Sequence, residues 1–252
     1  MAIPAKTIDE VLTELDRIIE STVVENNFLG IFAYVYRRTT AQIKQAISEK
    51  QFEDNARMEL MDVAFANLYL TAYYSFANNQ GCSAAWTASF SAKNEKITIM
   101  QHLMLGMNAH INMDLGIAAA TFAPGQSVHA LKNDFMKVNQ ILNSLTNEMQ
   151  DRVTKVSPLM FIIDWMGKNT DEKIVNFSMV KAREQAWKLA CVLSASNEIE
   201  KKSVIEATDQ TISALAGIIK NPPGKLLKTV LQFVAYFEEK EVKTIIAKLK
   251  ED

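Results

Sequence analysis

The sequence predicts an all-α fold, and three observations carry that expectation. Apolar residues recur at three- and four-residue spacing along almost the whole chain, the period of amphipathic helices. Chain breakers are scarce: 252 residues hold 8 Gly and 5 Pro, with no proline between Pro4 and Pro124. No run of alternating apolar and polar residues reads as a strand, and a β fold would need a turn signal roughly every 8–12 residues. At roughly 100–200 residues per domain, the length suits one domain, a compact bundle of about ten helices.

The elements follow in order. Thr7 opens T-I-D-E, a capping-box pattern, and a helix runs from it to about Val24. The second spans roughly Asn27 to Ser48, with Phe28, Ile31, Phe32, Val35, Ile43 and Ile47 as its apolar set. The third covers about Asp54 to Asn78 and stops at Asn78-Asn79-Gln80-Gly81. A short helix around Ser83 to Ala92 carries Trp86, and the fifth, about Glu95 to Phe122, ends at Ala123-Pro124-Gly125. A sixth starts near Ser127 and runs towards Lys155, and Ser157-Pro158 opens a short helix ending at Gly167. Thr170 caps a long helix to about Ser196, and another runs from about Ile199 to Lys220. Asn221-Pro222-Pro223-Gly224 then breaks the chain, so residues 222–252 could form a small C-terminal helical hairpin.

Composition narrows the function. Lys+Arg is 27 and Asp+Glu is 29, a formal charge of −2, which gives no handle for phosphate backbones and argues against a nucleic-acid partner. Cys82 and Cys191 lie far apart without CxxC spacing and read as reduced thiols of a cytoplasmic protein. The most apolar stretch, Ile97 to Leu131, holds Gln101, His102, Asn108, His110, Asn112 and Asp114, too many polar groups for a membrane span. The mixed charge of the last helices argues against a membrane surface as well. Nucleotide-binding glycine loops and the G-x-S-x-G hydrolase elbow are both missing.

One candidate site remains. The 35 residues between Lys96 and Lys132 hold a single formal charge, Asp114, so the fifth helix is expected to be the buried centre of the bundle. A buried carboxylate needs a partner or a metal. His110 lies one turn before Asp114 on the same face, and Gly106 one turn before His110, where a missing side chain leaves space for a ligand or a neighbouring helix. His102 projects towards the edge of that cluster, and the amides Gln101, Asn108 and Asn112 form a separate stripe. Asp62, Asp134 and Asp164 also sit at apolar positions, and Arg183 and Trp187 pair one turn apart. A bundle can bring such groups from several helices to one point.

Two readings follow. In the first, His110 and Asp114 ligate zinc, iron or manganese, and His102, Asp62 or Asp134 completes the set. A metal with an open position activates water, which makes the protein a metal-dependent hydrolase. Asp134 is then a ligand or general base, and Arg183 holds an anionic group of a small-molecule substrate or orients a carboxylate. In the second, Asp114 pairs with Arg183 or His110 in a satisfied polar core, or the Met- and aromatic-rich centre holds a small apolar ligand.

The run His102-Leu-Met-Leu-Gly-Met-Asn-Ala-His110-Ile-Asn-Met-Asp114-Leu resembles the signature of a bacterial family of unknown function with a GxNAHINxDL core. Similar matches occur at the segment around Asp62, at Trp86, at N-D134-F-x-x-V-N and at A-R183-E-x-A-W187, from about Phe52 to Leu189. The resemblance implies no reaction. It does imply that Asn108, His110, Asn112, Asp114, Asp134, Arg183 and Trp187 belong to one pattern.

Overall fold

The structure, a computed structural model, describes residues 4–122, 128–157, 159 and 179–251. Eleven α-helices and no strand occur among the described residues. They are α1 (Ile8–Val24), α2 (Leu29–Ser48), α3 (Asn55–Ala77), α4 (Ala84–Phe90), α5 (Ile99–Ala109), α6 (Leu115–Thr121), α7 (Lys132–Val156), α8 (Met179–Ala195), α9 (Glu198–Lys220), α10 (Lys225–Phe237) and α11 (Val242–Lys250). The break at Ala123-Pro124-Gly125, the start at Ser127, the Thr170 cap and Asp164 lie outside the described residues, as does all but Leu159 of the short helix expected from Pro158 to Gly167.

Local chemistry sets the helix starts. The Thr7 hydroxyl accepts the Glu10 N–H at 3.2 Å, while the Glu10 carboxylate reaches past the cap to the Lys6 N–H. Asp54 caps α3 through the Arg57 N–H. Thr98 and Gln101 form a reciprocal capping box that starts α5 four residues later than the periodicity suggests, because Glu95 turns to an extended backbone. Asn197 and Glu200 do the same for α9. Gly224 takes φ 94°, which its missing Cβ permits, and so redirects the chain into α10 after the two prolines.

The fifth expected helix is one continuous rod with a defect in it. α5 and α6 are joined by a π-helical turn, His110–Asp114, whose hydrogen bonds reach one residue further than in an α-helix. Every residue of that turn is buried. The rod is packed by α2, α3, α4, α8 and α9. α11 follows the Pro-Pro-Gly break, yet its Val242, Ile245, Ile246 and Leu249 join the main core beside α1 and α2. The Tyr34 hydroxyl donates to the Leu249 carbonyl at 2.9 Å and fastens it there. α10 instead buries Leu227 and Leu231 in a small cluster of their own. No helix among the described residues is long and apolar enough to cross a membrane.

Candidate functional site

The centre of the site is the π-helical turn. His110 and Asp114 are 3% and 2% exposed, and His110 Nδ1 lies 3.2 Å from Asp114 Oδ2. The same oxygen accepts the Trp86 indole N–H at 2.9 Å. Trp86 is held in place from two sides. Ser83 caps α4 through the Trp86 N–H, and Asp209 of α9 accepts the N–H groups of Ala84 and Ala85 at 2.7 and 2.8 Å. Since Asp114 Oδ2 acts as an acceptor for the indole, we assign the proton of His110 to Nδ1, where it donates to that oxygen. Nε2 then carries a lone pair.

Burial acts on both partners. It holds the His110 imidazole well below its ordinary value, which keeps it neutral. It pushes the Asp114 carboxyl well up, against the lowering effect of the Trp86 N–H.

Aromatic side chains from three other helices enclose the imidazole. The Phe65 ring of α3 lies parallel to it with centroids 3.8 Å apart, and the Tyr36 ring of α2 meets it edge-on at 4.3 Å. Phe32, Tyr69 and Trp86 stand at 5.8–6.0 Å. Gly106 explains how Phe32 comes so near. A Cβ on Gly106 would lie 2.4 Å from Phe32 Cγ, so the space left there is filled by a neighbouring helix's ring. Phe65 differs from the other rings in being only partly buried, so it is the layer between the imidazole and the outside.

Not every polar atom of this cage has a partner. His110 Nε2, Asp62 Oδ2 and Tyr69 Oη are buried and meet no hydrogen-bond partner among the described residues, while the buried Tyr36 and Thr40 hydroxyls face one another. Native interiors leave few such atoms, and each costs roughly 1–3 kcal/mol. Burial raises the Asp62 carboxyl to about 7, with a smaller push from Glu59. Tyr36 is raised well above the usual phenol range, first by burial and then by the charges of Asp62 and Asp114, so its hydroxyl lies within electrostatic reach of both.

The other expected site residues have other company. His102 stacks on Phe28 with centroids 4.7 Å apart, its Nε2 meets the Glu95 carbonyl at 3.2 Å, and burial lowers it to about 4. Asp134 accepts the Glu53 and Asp54 N–H groups at 2.7 and 3.1 Å and pairs with Arg57 at 3.2 Å, which fixes the entry to α3. Arg183 lies over the Phe135 ring, donates to the Phe135 carbonyl at 2.8 Å and meets Asn139. Burial lowers it to about 9. Asp114 therefore takes Trp86 and His110 as partners in place of Arg183, because Arg183 is turned onto α7. Trp187 packs on Phe135 and His129 in that same group. Asn108 donates to the Ile212 carbonyl of α9 at 2.9 Å, and Asn112 to Asn108.

The single pattern implied for these residues thus divides into three places along the central rod: the His110 cage, the α9 amide contact and the α7–α8 contact. The match to a family model spans residues 8–222. The chain belongs to the Family of unknown function (DUF5995). The DUF5995 match takes in α1 to α9 and with them all three places, whereas α10 and α11 follow it. The chain matches no curated protein and no solved structure.

Sequence reasoning missed Tyr36 and Phe65 as neighbours of the His110 ring, and Thr40 as the neighbour of Tyr36. Tyr36 and Thr40 carry a faint signal, being one turn apart on the buried face of α2 with Phe32 and Ile43. Among the described residues, no three His, Cys, Asp or Glu side chains gather where a metal ion could be held.

Proposed function

We propose that this protein is a metal-dependent enzyme, a hydrolase, whose ion binds Nε2 of His110. The observation that carries the reading is the pairing of a held nitrogen with an open one. A metal-binding histidine almost always donates its other N–H to a carboxylate or carbonyl, which fixes tautomer and ring. His110 has that arrangement towards Asp114, and Trp86 fixes Asp114 in turn. Asp114 is then the orienting carboxylate, and Asp62 is the carboxylate ligand, with its Oδ2 unpartnered. Imidazole and carboxylate donors suit zinc, iron or manganese. An ion with an open position lowers the pKa of bound water and supplies the nucleophile for hydrolysis. A small-molecule substrate would enter beside Phe65, the partly exposed member of the cage.

The test is elemental analysis of protein purified without an affinity metal, beside His110→Ala, Asp62→Asn and His102→Gln. Near-stoichiometric metal is expected in the parent and in His102→Gln, and its loss in the other two. Chelator should then lower the melting temperature and added metal restore it, because a ligand of the native state alone stabilises that state. A folded protein that neither carries nor takes up metal, with a melting temperature indifferent to chelator, would overturn the reading. The cage would then be the polar core of a non-catalytic helical protein.

A further inference from the structure

The outer face of α10 is apolar and cationic along one edge. Leu226, Phe233, Tyr236 and Phe237 are 50–77% exposed. At about 100° per residue they fall on one stripe of the helix, with Thr229 among them. The rings touch: the Phe237 centroid lies 4.9 Å from that of Phe233 and 5.1 Å from that of Tyr236. Lys225, Lys228 and Gln232 are exposed along one edge of the stripe, and α10 itself contains no acid. We propose that this face docks the protein on a bilayer surface with anionic headgroups, with α10 lying in the interface. The proposal stands apart from the metal reading.

The fold holds the helix so that this face stays outward. Leu227, Leu231, Val234 and Ala235 are buried on the other side. Past the C-terminal end of α10, Glu238 accepts the Ile99 N–H at 2.8 Å and meets the Ser157 hydroxyl. That ties α10 to the start of α5 and the end of α7.

The tie also changes the charge that a membrane would meet. Along the chain, the acids after α10 cancel its lysines and argue against a membrane surface. In the fold those acids are engaged elsewhere. Glu238 is buried. Glu239 accepts the Lys240 and Glu241 N–H groups at 2.8 and 3.1 Å and pairs with Lys248 at 3.7 Å. Glu241 accepts the Thr244 hydroxyl at 2.7 Å. Lys225 and Lys228 pair with no acid among the described residues, so their charge is left for lipid phosphates.

Area and chemistry select lipid over a second copy of this chain. Taking about 200 Å² for a whole side chain of this size, the exposed parts of the four residues sum to about 500 Å². That falls short of the roughly 800 Å² per partner of a stable dimer. Aromatic rings and a leucine edged by lysines are the composition of helices that lie at the headgroup level. The apolar stripe enters the acyl boundary, and the lysine stems carry their charge back up to the phosphates. Tyr236 suits that depth, because its ring is apolar and its hydroxyl polar.

The experiment uses the full chain at low salt with two vesicle preparations, phosphatidylcholine alone and phosphatidylcholine mixed with phosphatidylserine. Two lysines near an anionic surface correspond to about tenfold or more in affinity. The parent should therefore sediment with the mixed vesicles at least about tenfold more tightly than with the neutral ones, and raised salt should release it. Phe233→Ser combined with Phe237→Ser should abolish binding. Lys225→Gln combined with Lys228→Gln should remove the preference for phosphatidylserine. No sedimentation of the parent with the mixed vesicles would overturn the proposal, as would binding that both double variants retain. Equal binding to the two vesicles would overturn the role of the lysines. A dimer in solution that is lost in the phenylalanine variant, without vesicle binding by the parent, would put a second copy on this face and overturn the choice of lipid. The parent's vesicle comparison needs no variant, so a double variant that fails to fold does not spare the proposal.

Discussion

Two faces of the same central rod bury polar side chains in opposite ways. On the face towards α9, every amide is met. Gln101 donates to the Ile219 carbonyl at 2.7 Å, Asn108 to the Ile212 carbonyl, and Asn112 to Asn108. On the face towards α2 and α3, His110 Nε2, Asp62 Oδ2 and Tyr69 Oη have no hydrogen-bond partner among the described residues. The polar groups of both faces are buried, so burial alone does not make the difference. The contrast lies in the kind of partner: amides on one side close on backbone carbonyls, while the other side gathers buried groups that titrate. The π-helical turn falls between the two faces, at His110–Asp114, and such turns are frequent at functional sites. We read the amide face as structure and the histidine face as function.

The largest expected effect sharpens the structural side. His102 is a buried imidazole with a partner, the Glu95 carbonyl, and it lies outside the cage. Burial, helped by Lys220, lowers it from 6.5 to about 4 in the folded protein. The unfolded chain therefore binds the proton first as pH falls. The stability tied to neutral His102 is full above about pH 6.5 and is lost as pH falls towards 4, a change of about 3 kcal/mol for that interval. Melting curves between pH 7.5 and 4 should show a steeper fall for the parent than for His102→Phe, which keeps the stack on Phe28. Coincident slopes would mean that another group drives the acid loss.

Next in size is Asn108→Ala. It removes the bond to the Ile212 carbonyl and strands the Asn112 amide, which donates to Asn108. A loss of about 2 kcal/mol is expected in urea unfolding, with the slope of the transition unchanged. A neutral result would erase the contrast between the faces, since the amide side would then carry no more stability than the open side.

How much of this was legible beforehand differs by residue. The helix ends at Val24, Ser48 and Lys220 follow from apolar spacing and breakers, and the structure places them there. The proximity of His110 and Asp114 follows from one-turn spacing. The π-helical turn does not, because a one-residue slip in backbone hydrogen bonding leaves no mark in composition. Asp134 and Arg183 show the opposite limit. Periodicity reveals an acid at an inward position and an arginine beside a tryptophan, but whether either faces His110 depends on which helix end lies opposite. Asp134 meets the backbone at the start of α3, and Arg183 meets the carbonyl of Phe135. Tyr36 and Trp86 reach the centre from α2 and α4, so their membership is a property of packing between helices.

The smallest effect is the most telling because its sign is reversed. Tyr69 is fully buried, and its ring packs against Phe32, Trp86 and Phe90. Its hydroxyl has no partner. Tyr69→Phe keeps the ring and removes only the unmet oxygen, so it should stabilise the metal-free protein by about 1 kcal/mol. For a chain of this size that is a rise of about 2–4 °C in melting temperature. If Tyr69→Phe instead destabilises the protein, its oxygen has a partner in solution, such as a buried water. The two faces of the rod would then differ in what satisfies them, and the case for function would rest on His110 Nε2 and Asp62 alone.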